Sequence, residues 1–448
     1  MFYTSIYMYH KTTHLSMNFI KKHFIIIAIL ISPFFSTIAH PQESSDTLFS
    51  KAKLLMTEGK YEQSIAIFKI LQKNEQGSAD LSYYIGLNYQ SLSDFPKAVS
   101  SFEEALWLNP ENLNIMTLLG NNYFSAGQIS NADSLLTKAF LLDSADSQIL
   151  QSLGKIYKQE NKWHKAAHIY ERLIEQDSSN SFYYEQLGIC SLNMKEIDDA
   201  IINYQISHRL NPLNQNTVIT LSQLYINKEN YISATRIIDD GLRIYPSSSI
   251  MWTKKGEVDL KMSNYKDAIT DCIKSINLGD SSAINFRTIG AGYYWIEKYD
   301  SAITFLNNAV KIMEKDPSAY FYLGMCYKAL KEYDKAIESF SMAVDLQRND
   351  FLAESLIQIG ATYYARKNYH EALEYYHDAL RENPDKNEIV FYIAAFYDHY
   401  YKDKTVAINY YKKFLSHTSK GTDKKLIDYA ENRIKTLVEE NHFSKATK

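Results

Sequence analysis

Small side chains recur along this chain at a constant interval of 34 residues: Ser64, Ala98, Ala132, Ala166, Ala200, Ala234, Ala268, Ala302 and Ala336. The register then slips slightly, to Ala372 and Ala407. A second column runs 12 residues ahead of the first, at Gly86, Gly120, Gly154, Gly188, Gly256, Gly290, Gly324 and Gly360, with Ala52, Ser222 and Ala394 filling its gaps. Three residues after these stand aromatic rings: Tyr89, Tyr123, Tyr157, Tyr225, Tyr293, Tyr327, Tyr363 and Tyr397. A fixed period of this length marks one structural unit copied end to end, each copy burying its apolar face against the next. That outweighs the prior of about three domains that the 448-residue length would otherwise suggest.

Within one copy, Ala79 to Asn112, apolar residues recur at helical spacing in two blocks parted by Leu92 to Phe95, so each copy reads as a helical hairpin. Two helices packed as close neighbours need small residues where they touch, which Gly86 and Ala98 supply, with Phe102 and Tyr89 filling the space between. Ala105 faces the following hairpin. Asn109-Pro110 ends the second helix, because the residue before proline disfavours helical geometry, and Pro212, Pro246 and Pro384 recur at the same phase. Pro96 falls in a first helical turn, where a missing N–H costs little.

These Leu-Gly, Tyr, Ala, Phe, Ala and Pro columns resemble the tetratricopeptide repeat. The resemblance implies an all-α, α-α superhelix: a solenoid of about eleven hairpins over 45–421, with units 45–78, 79–112, 113–146, 147–180, 181–214, 215–248, 249–282, 283–316, 317–350, 353–386 and 387–421. Residues 422–440 then read as a capping helix, since Leu426, Ala430, Ile434 and Leu437 form one apolar stripe able to cover the exposed end of such a stack. Residues 441–448 are polar and read as a flexible tail. The unit at Ser45 is degenerate, with Leu71 and Gln76 in place of Ala and Pro, as terminal copies often are.

One internal copy, 249–282, departs most. Asp259 replaces the aromatic, Lys255 the Leu, and Cys272 and Ser275 stand where bulky and small apolar residues are usual. This hairpin should be the loosest. Lys255 and Asp259, four apart, read as a local ion pair; the functional alternative is a flexible joint or a polar pocket.

The 15 Gly and 8 Pro are far too few for a low-complexity chain. Of 48 basic and 52 acidic residues, the first 39 positions hold only Lys11, Lys21 and Lys22, leaving the remainder acidic overall with its lysines interleaved among acids. No concentrated basic face points to nucleic acid.

Reading from Met17, the segment has basic Lys21 and Lys22, an apolar run from Phe24 to Ile31 and small residues ending at Ala39, the shape of a secretory signal. The run is too short for the roughly 20 residues that span a bilayer. The expectation is a signal over 1–39 with Met17 the true start, cleavage near Ala39, a short leader over 40–44 and a soluble periplasmic or secreted product with no stable membrane span. No cysteine precedes Cys190, so a lipid-modified cleavage site is not expected.

No catalytic constellation emerges. His164 and His168 lack a third ligand, and His370-Glu371 lacks the histidine a zinc-protease pattern needs where Glu374 stands. Every periodic glycine is a packing glycine, leaving no phosphate loop. Cys190, Cys272 and Cys326 fall in alternate hairpins and read as small core residues. The expectation is a non-enzyme without cofactor or metal.

The family resemblance implies a concave groove lined by first helices, the usual place for a bound peptide. Lining positions three before, one after and four after each glycine yield the candidate contacts Tyr83, Phe124, Ile189, Ile226, Arg287, Tyr294, Phe321, Tyr364 and Phe391, with Trp295 adjacent. Aromatic and arginine anchors carry most interface energy, which favours Arg287, Tyr294, Trp295 and Phe321. Asn121 follows Thr117 where members that clamp a C-terminal carboxylate carry lysine, so that clamp is not matched. The expected role is an exported scaffold for a protein or extended peptide, with oligomeric state open. Alternatives are an accessory subunit that positions a catalytic partner, or a carbohydrate- or lipid-binding module.

Overall fold

The computed structural model describes residues 44–74, 77–346, 351–418 and 423–446, which hold 23 α-helices and no strand. The signal expected over 1–39 lies outside the described residues. The helices pair as α1 (Ser45–Thr57) with α2 (Tyr61–Asn74), α3 (Ala79–Ser91) with α4 (Phe95–Leu108) and α5 (Leu113–Ser125) with α6 (Ile129–Leu142), and α7 (Ser147–Gln159) and α8 (Trp163–Gln176) come next along the chain. Then follow α9 (Ser181–Asn193) with α10 (Ile197–Leu210), α11 (Gln215–Asn227) with α12 (Tyr231–Ile244) and α13 (Ser249–Lys261) with α14 (Tyr265–Asn277). The last pairs are α15 (Ala283–Trp295) with α16 (Tyr299–Ile312), α17 (Pro317–Ala329) with α18 (Tyr333–Leu346), α19 (Phe351–Ala365) with α20 (Tyr369–Glu382) and α21 (Asn387–Tyr400) with α22 (Thr405–Ser416), before the single helix α23 (Lys424–Ala446). The all-α class expected from the period is the class observed.

The sequence reading treats 45–421 as one body, whereas the helices cluster as two compact units, one ending at Ile156 and one starting at Tyr157. The period runs through this boundary unchanged, so nothing in it marks the division.

Ten of the eleven hairpins close by the same device, all but α21–α22. Their first helix ends on a residue in the left-handed region, at Gly59, Ser93, Gly127, Asn161, Lys195, Glu229, Ser263, Glu297, Lys331 and Lys367, with φ between 56° and 77°. The N–H of Ser93 donates to Gln90 O at 2.9 Å and that of Asp94 to Tyr89 O at 2.9 Å, a pairing that caps the free carbonyls at a helix C-terminus. Asp94 then turns to the next helix, its carboxylate accepting from the Lys97 N–H at 3.4 Å.

The two helices of a hairpin are locked by a bulky wedge sixteen residues after the small residue. Phe102, Leu136, Tyr204, Leu306 and Phe340 are each at most 3% exposed. A Cβ added at Gly86 would lie 2.8 Å from the Phe102 ring, and one at Gly324 2.6 Å from Phe340, so the wedge occupies the space a side chain would need.

The aromatic column ties neighbouring copies together. Tyr89 accepts from Lys69 Nζ at 2.8 Å, Tyr123 donates to Glu103 Oε1 at 2.5 Å, and Tyr225 accepts from Gln205 Nε2. Each hydroxyl thus reaches the residue twenty positions earlier, on the second helix of the preceding hairpin. Burial, reinforced by Glu103, pushes the Tyr123 hydroxyl up to about 12.

The hairpin α13–α14 departs as its sequence implies, but not by leaving space. Its interior is a hydrogen-bonded cluster: Thr253 Oγ1 lies 2.8 Å from Ser275 Oγ, 2.9 Å from Asp280 Oδ2 and 3.1 Å from Asn285 Oδ1. The small wedge Cys272 sits against Gly256, and burial pushes its thiol well above the usual range. The ion pair expected between Lys255 and Asp259 is replaced by one between Lys255 and Asp239 of α12 at 2.9 Å, because Asp259 is turned inward and is 7% exposed.

Candidate functional site

Four of the expected contacts, Arg287, Tyr294, Trp295 and Phe321, come together on α15 and α17 of the second unit. Trp295 is the last residue of α15, so its ring leaves the helix just before the Glu297 turn and is 49% exposed. It stacks on Tyr265, the first residue of α14, with centroids 5.5 Å apart and an interplanar angle of 8°. Tyr294 lies edge-on to it at 5.2 Å, and the Trp295 side chain also hydrogen-bonds with Tyr322. Tyr294 continues to Tyr322 at 5.9 Å, and Tyr322 to Phe321 at 5.8 Å, so a run of rings crosses from one hairpin to the next. Burial pushes the Tyr294 hydroxyl up to about 12. At the position of Trp295 the other copies carry Thr57, Ser91, Ser125, Gln159, Asn193, Asn227, Lys261, Ala329, Ala365 and His399. An indole stands there in one copy alone, where no packing requirement of the repeat calls for it.

The cations of this face are engaged within the protein. Arg287 Nη1 donates to Asp316 Oδ2 at 3.0 Å, and Asp316, 1% exposed, accepts with its other oxygen from the Ala319 N–H at 3.2 Å as the cap of α17. Arg287 therefore bridges two hairpins rather than offering a free guanidinium. Lys328 Nζ donates to Gln358 Oε1 at 2.9 Å, Gln358 donates to Glu354 at 3.0 Å, and Glu354 pairs with Lys386. Burial lowers the Lys328 ammonium despite the nearby Glu354 charge. Burial opposes the Glu354 carboxylate, yet the hydrogen bonds from Lys386 and Gln358 hold it below its ordinary value.

The other expected contacts have structural work. Tyr83 is half-buried, accepting from Asn114 Nδ2 at 3.1 Å and edge-on to Phe102 at 6.1 Å. Phe124 is half-buried. Ile189 and Ile226 pack onto one core cluster in the second unit. Phe321 meets the buried Phe340 at 5.7 Å. Phe391 is a correction: at 8% exposed it sits among the rings of Tyr411, Phe414 and Tyr429, because α23 covers the face that lining a groove would require to be open. Tyr364 is 39% exposed and edge-on to Tyr369, which leads to Tyr400 and Phe396 in a second run of rings.

Tyr265 and Tyr322 escape the groove rule because neither occupies a lining phase. Tyr265 was nevertheless visible in the sequence: large side chains open the second helices at Tyr61, Phe95, Ile129, Trp163, Ile197, Tyr231, Tyr265, Tyr299, Tyr333 and Tyr369. Among the described residues no group of three or more His, Cys, Asp or Glu is placed to hold a metal ion. Cys190, Cys272 and Cys326 are all buried. No helix among the described residues is long and apolar enough to cross a membrane.

Residues 149–181 and 316–381 match tetratricopeptide repeat models. No curated protein matches the chain. Among solved structures it is similar to yeast Tom70 (14% identity, 89% of this chain and 96% of that one, TM-score 0.42). It is likewise similar to the Cut9–Hcn1 hetero-tetramer of the APC/C (15%, 88% and 84%, TM-score 0.47). A third is a tetratricopeptide repeat protein from Parabacteroides merdae (18%, 56% and 98%, TM-score 0.43). Over the two matched stretches this chain carries tetratricopeptide repeats, set in an all-helical series of hairpins.

Proposed function

We propose that the chain is a non-catalytic, exported scaffold that binds another protein or an extended peptide on the α15–α17 face, with Trp295 as its principal anchor. The observation that carries this reading is the exposed Trp295 ring, stacked on Tyr265 at a position where every other copy has a small or polar residue. An indole held in this way offers a large apolar surface with little motion left to lose on binding. The leader shape of residues 17–39 supports export.

Trp295→Ala is the cleaner probe, because Phe321→Ala would also hollow the contact with Phe340. Crosslinking in the native host followed by mass spectrometry should find partner peptides joined to residues 287–322 in the wild type and lose them in Trp295→Ala, with helix content unchanged. Equal crosslinking of both proteins would remove Trp295 from the binding face.

A further inference from the structure

We propose that Asp271, buried against the Asp259 carboxylate, keeps its proton in the closed fold, making the α13–α14 hairpin a pH-sensitive joint that is held shut in acid and loosens as pH rises toward neutrality. Asp259 lies on α13 and Asp271 on α14. They are 7% and 8% exposed, and their carboxyls face each other within hydrogen-bond reach. Asn264 Nδ2 donates to Asp259 Oδ1 at 3.0 Å, whereas Asp271 Oδ2 is buried without a donor. Ionised carboxylates only accept hydrogen bonds, so two of them in buried contact are mutually repulsive until one carries a proton to donate.

The surrounding charges leave that proton in place. The nearest cation, Lys255 of α13, is already held by Asp239 of α12 at 2.9 Å. Glu257, also on α13, is neutralised by Lys254 at 2.7 Å, and on α14 itself Asp267 adds a further negative charge. From α15 come uncharged Asn285 and Thr288, and the one charged residue of that helix, Arg287, pairs with Asp316. Asp280 in the following loop is bound to Thr253 and Ser282. Burial, then the Asp259 and Asp267 charges, outweigh Lys255 and raise Asp271 to about 7. Nor does packing compensate, since the wedge of this hairpin is Cys272 rather than a ring or a leucine. At the two positions of the pair the other copies carry uncharged residues, for example Tyr225 and Ile237 or Tyr293 and Phe305.

The sign follows from where the proton sits. The closed hairpin keeps it up to about 7, while an opened hairpin, with Asp271 in water, releases it near the ordinary 3.8. Between those values the closed form binds more protons, so each rise in pH favours opening, and above about 7 the effect levels off. Through the Tyr265–Trp295 stack an opened α14 would also withdraw support from Trp295; that consequence alone rests on the function proposed above.

Hydrogen exchange of the full chain tests the joint with no partner present. After correction for intrinsic exchange rates, protection of α13–α14 should fall from pH 5 to 7, at most about ten-fold per pH unit as expected for one proton, and flatten by pH 8, while α3–α4 stays level. Asp271→Asn supplies a permanent donor and should abolish the slope; Asp259→Asn does the same from the other side should the first variant not fold. A flat wild-type profile, or the same slope in the folded Asn variant, overturns the proposal. The crosslinking of Trp295 is read separately, so either idea can fail alone.

Discussion

Arg433 closes around Asp398 with two parallel hydrogen bonds, Nε to Oδ2 at 2.7 Å and Nη2 to Oδ1 at 2.9 Å. Asp398 belongs to α21 and is 5% exposed; Arg433 belongs to α23. The fork therefore fastens the last helix onto the final hairpin, where Ala430 and Leu437 are completely buried. Planar bidentate pairing of this kind orients as well as attracts. Tyr411 adds a further donor at 3.4 Å, and the Lys404 ammonium, which donates to the Asp398 backbone carbonyl, places a second cation 3.9 Å from the carboxylate.

Removing the fork should release the cap. Arg433→Met leaves Asp398 buried with less than its full set of partners, a change that costs about 3 kcal/mol for a buried pair. Hydrogen exchange of α21 to α23 should accelerate while α9 to α12 keeps its rates. Unaltered exchange at α23 would show that apolar packing alone holds the cap.

Gly324→Ala forces a methyl group into the Phe340 ring. Overfilling a tight contact of this type costs about 1–3 kcal/mol, because the ring must leave its preferred rotamer or the helices must separate. Chemical denaturation should show a lower midpoint than wild type, and Phe340→Leu introduced in the same chain should restore part of the loss by vacating the site.

The left-handed turn residues make the opposite prediction. Lys331 holds φ at 65°, a conformation costing a side-chain-bearing residue about 1–2 kcal/mol, part of which glycine would recover. Lys331→Gly should stabilise the protein by about 0.5 kcal/mol and Lys331→Val should destabilise it by at least about 1 kcal/mol. Denaturation midpoints that order these two variants the other way would mean the turn does not tolerate glycine's added freedom.

His208 on α10 sets an acid limit. Burial lowers its imidazole below the ordinary value of 6.5, only partly offset by the Asp240 charge, and its buried Nδ1 has no hydrogen-bond partner. Below pH 6.5 the unfolded chain takes up a proton that the folded chain refuses, so stability drops as pH falls until the depressed folded value is passed. His208→Gln should flatten part of the loss of melting temperature between pH 6.5 and 5. Parallel curves for the two proteins would place the acid sensitivity elsewhere.

Periodicity revealed the hairpins because Gly86 and Ala98 are small for a reason internal to one copy, which every copy repeats. It could not reveal the turn column: Lys195, Glu229 and Lys331 occupy a backbone conformation set by the capping geometry, with no side-chain requirement to leave a trace. The groove rule yielded Tyr294, with Trp295 beside it, and Arg287, but it gave no sign of the Arg287–Asp316 pair, since a spacing rule carries no information on which neighbours pair. Phe391 failed for a similar reason, as its position matches its counterparts and only the covering helix α23 distinguishes it. The Asp259 and Asp271 contact was foreshadowed by the loss of aromatic and apolar residues from that hairpin, though not their approach to one another.

The wedge lies sixteen positions after its small partner and the tyrosine hydroxyl reaches back twenty, so the main fastenings stay within one copy or join consecutive ones. Excising a whole copy inside the second unit, such as 181–214, would leave every remaining wedge opposite its own small residue. Unequal recombination between copies can therefore lengthen or shorten a gene of this design in steps of one hairpin, without a new core having to be invented at the seam.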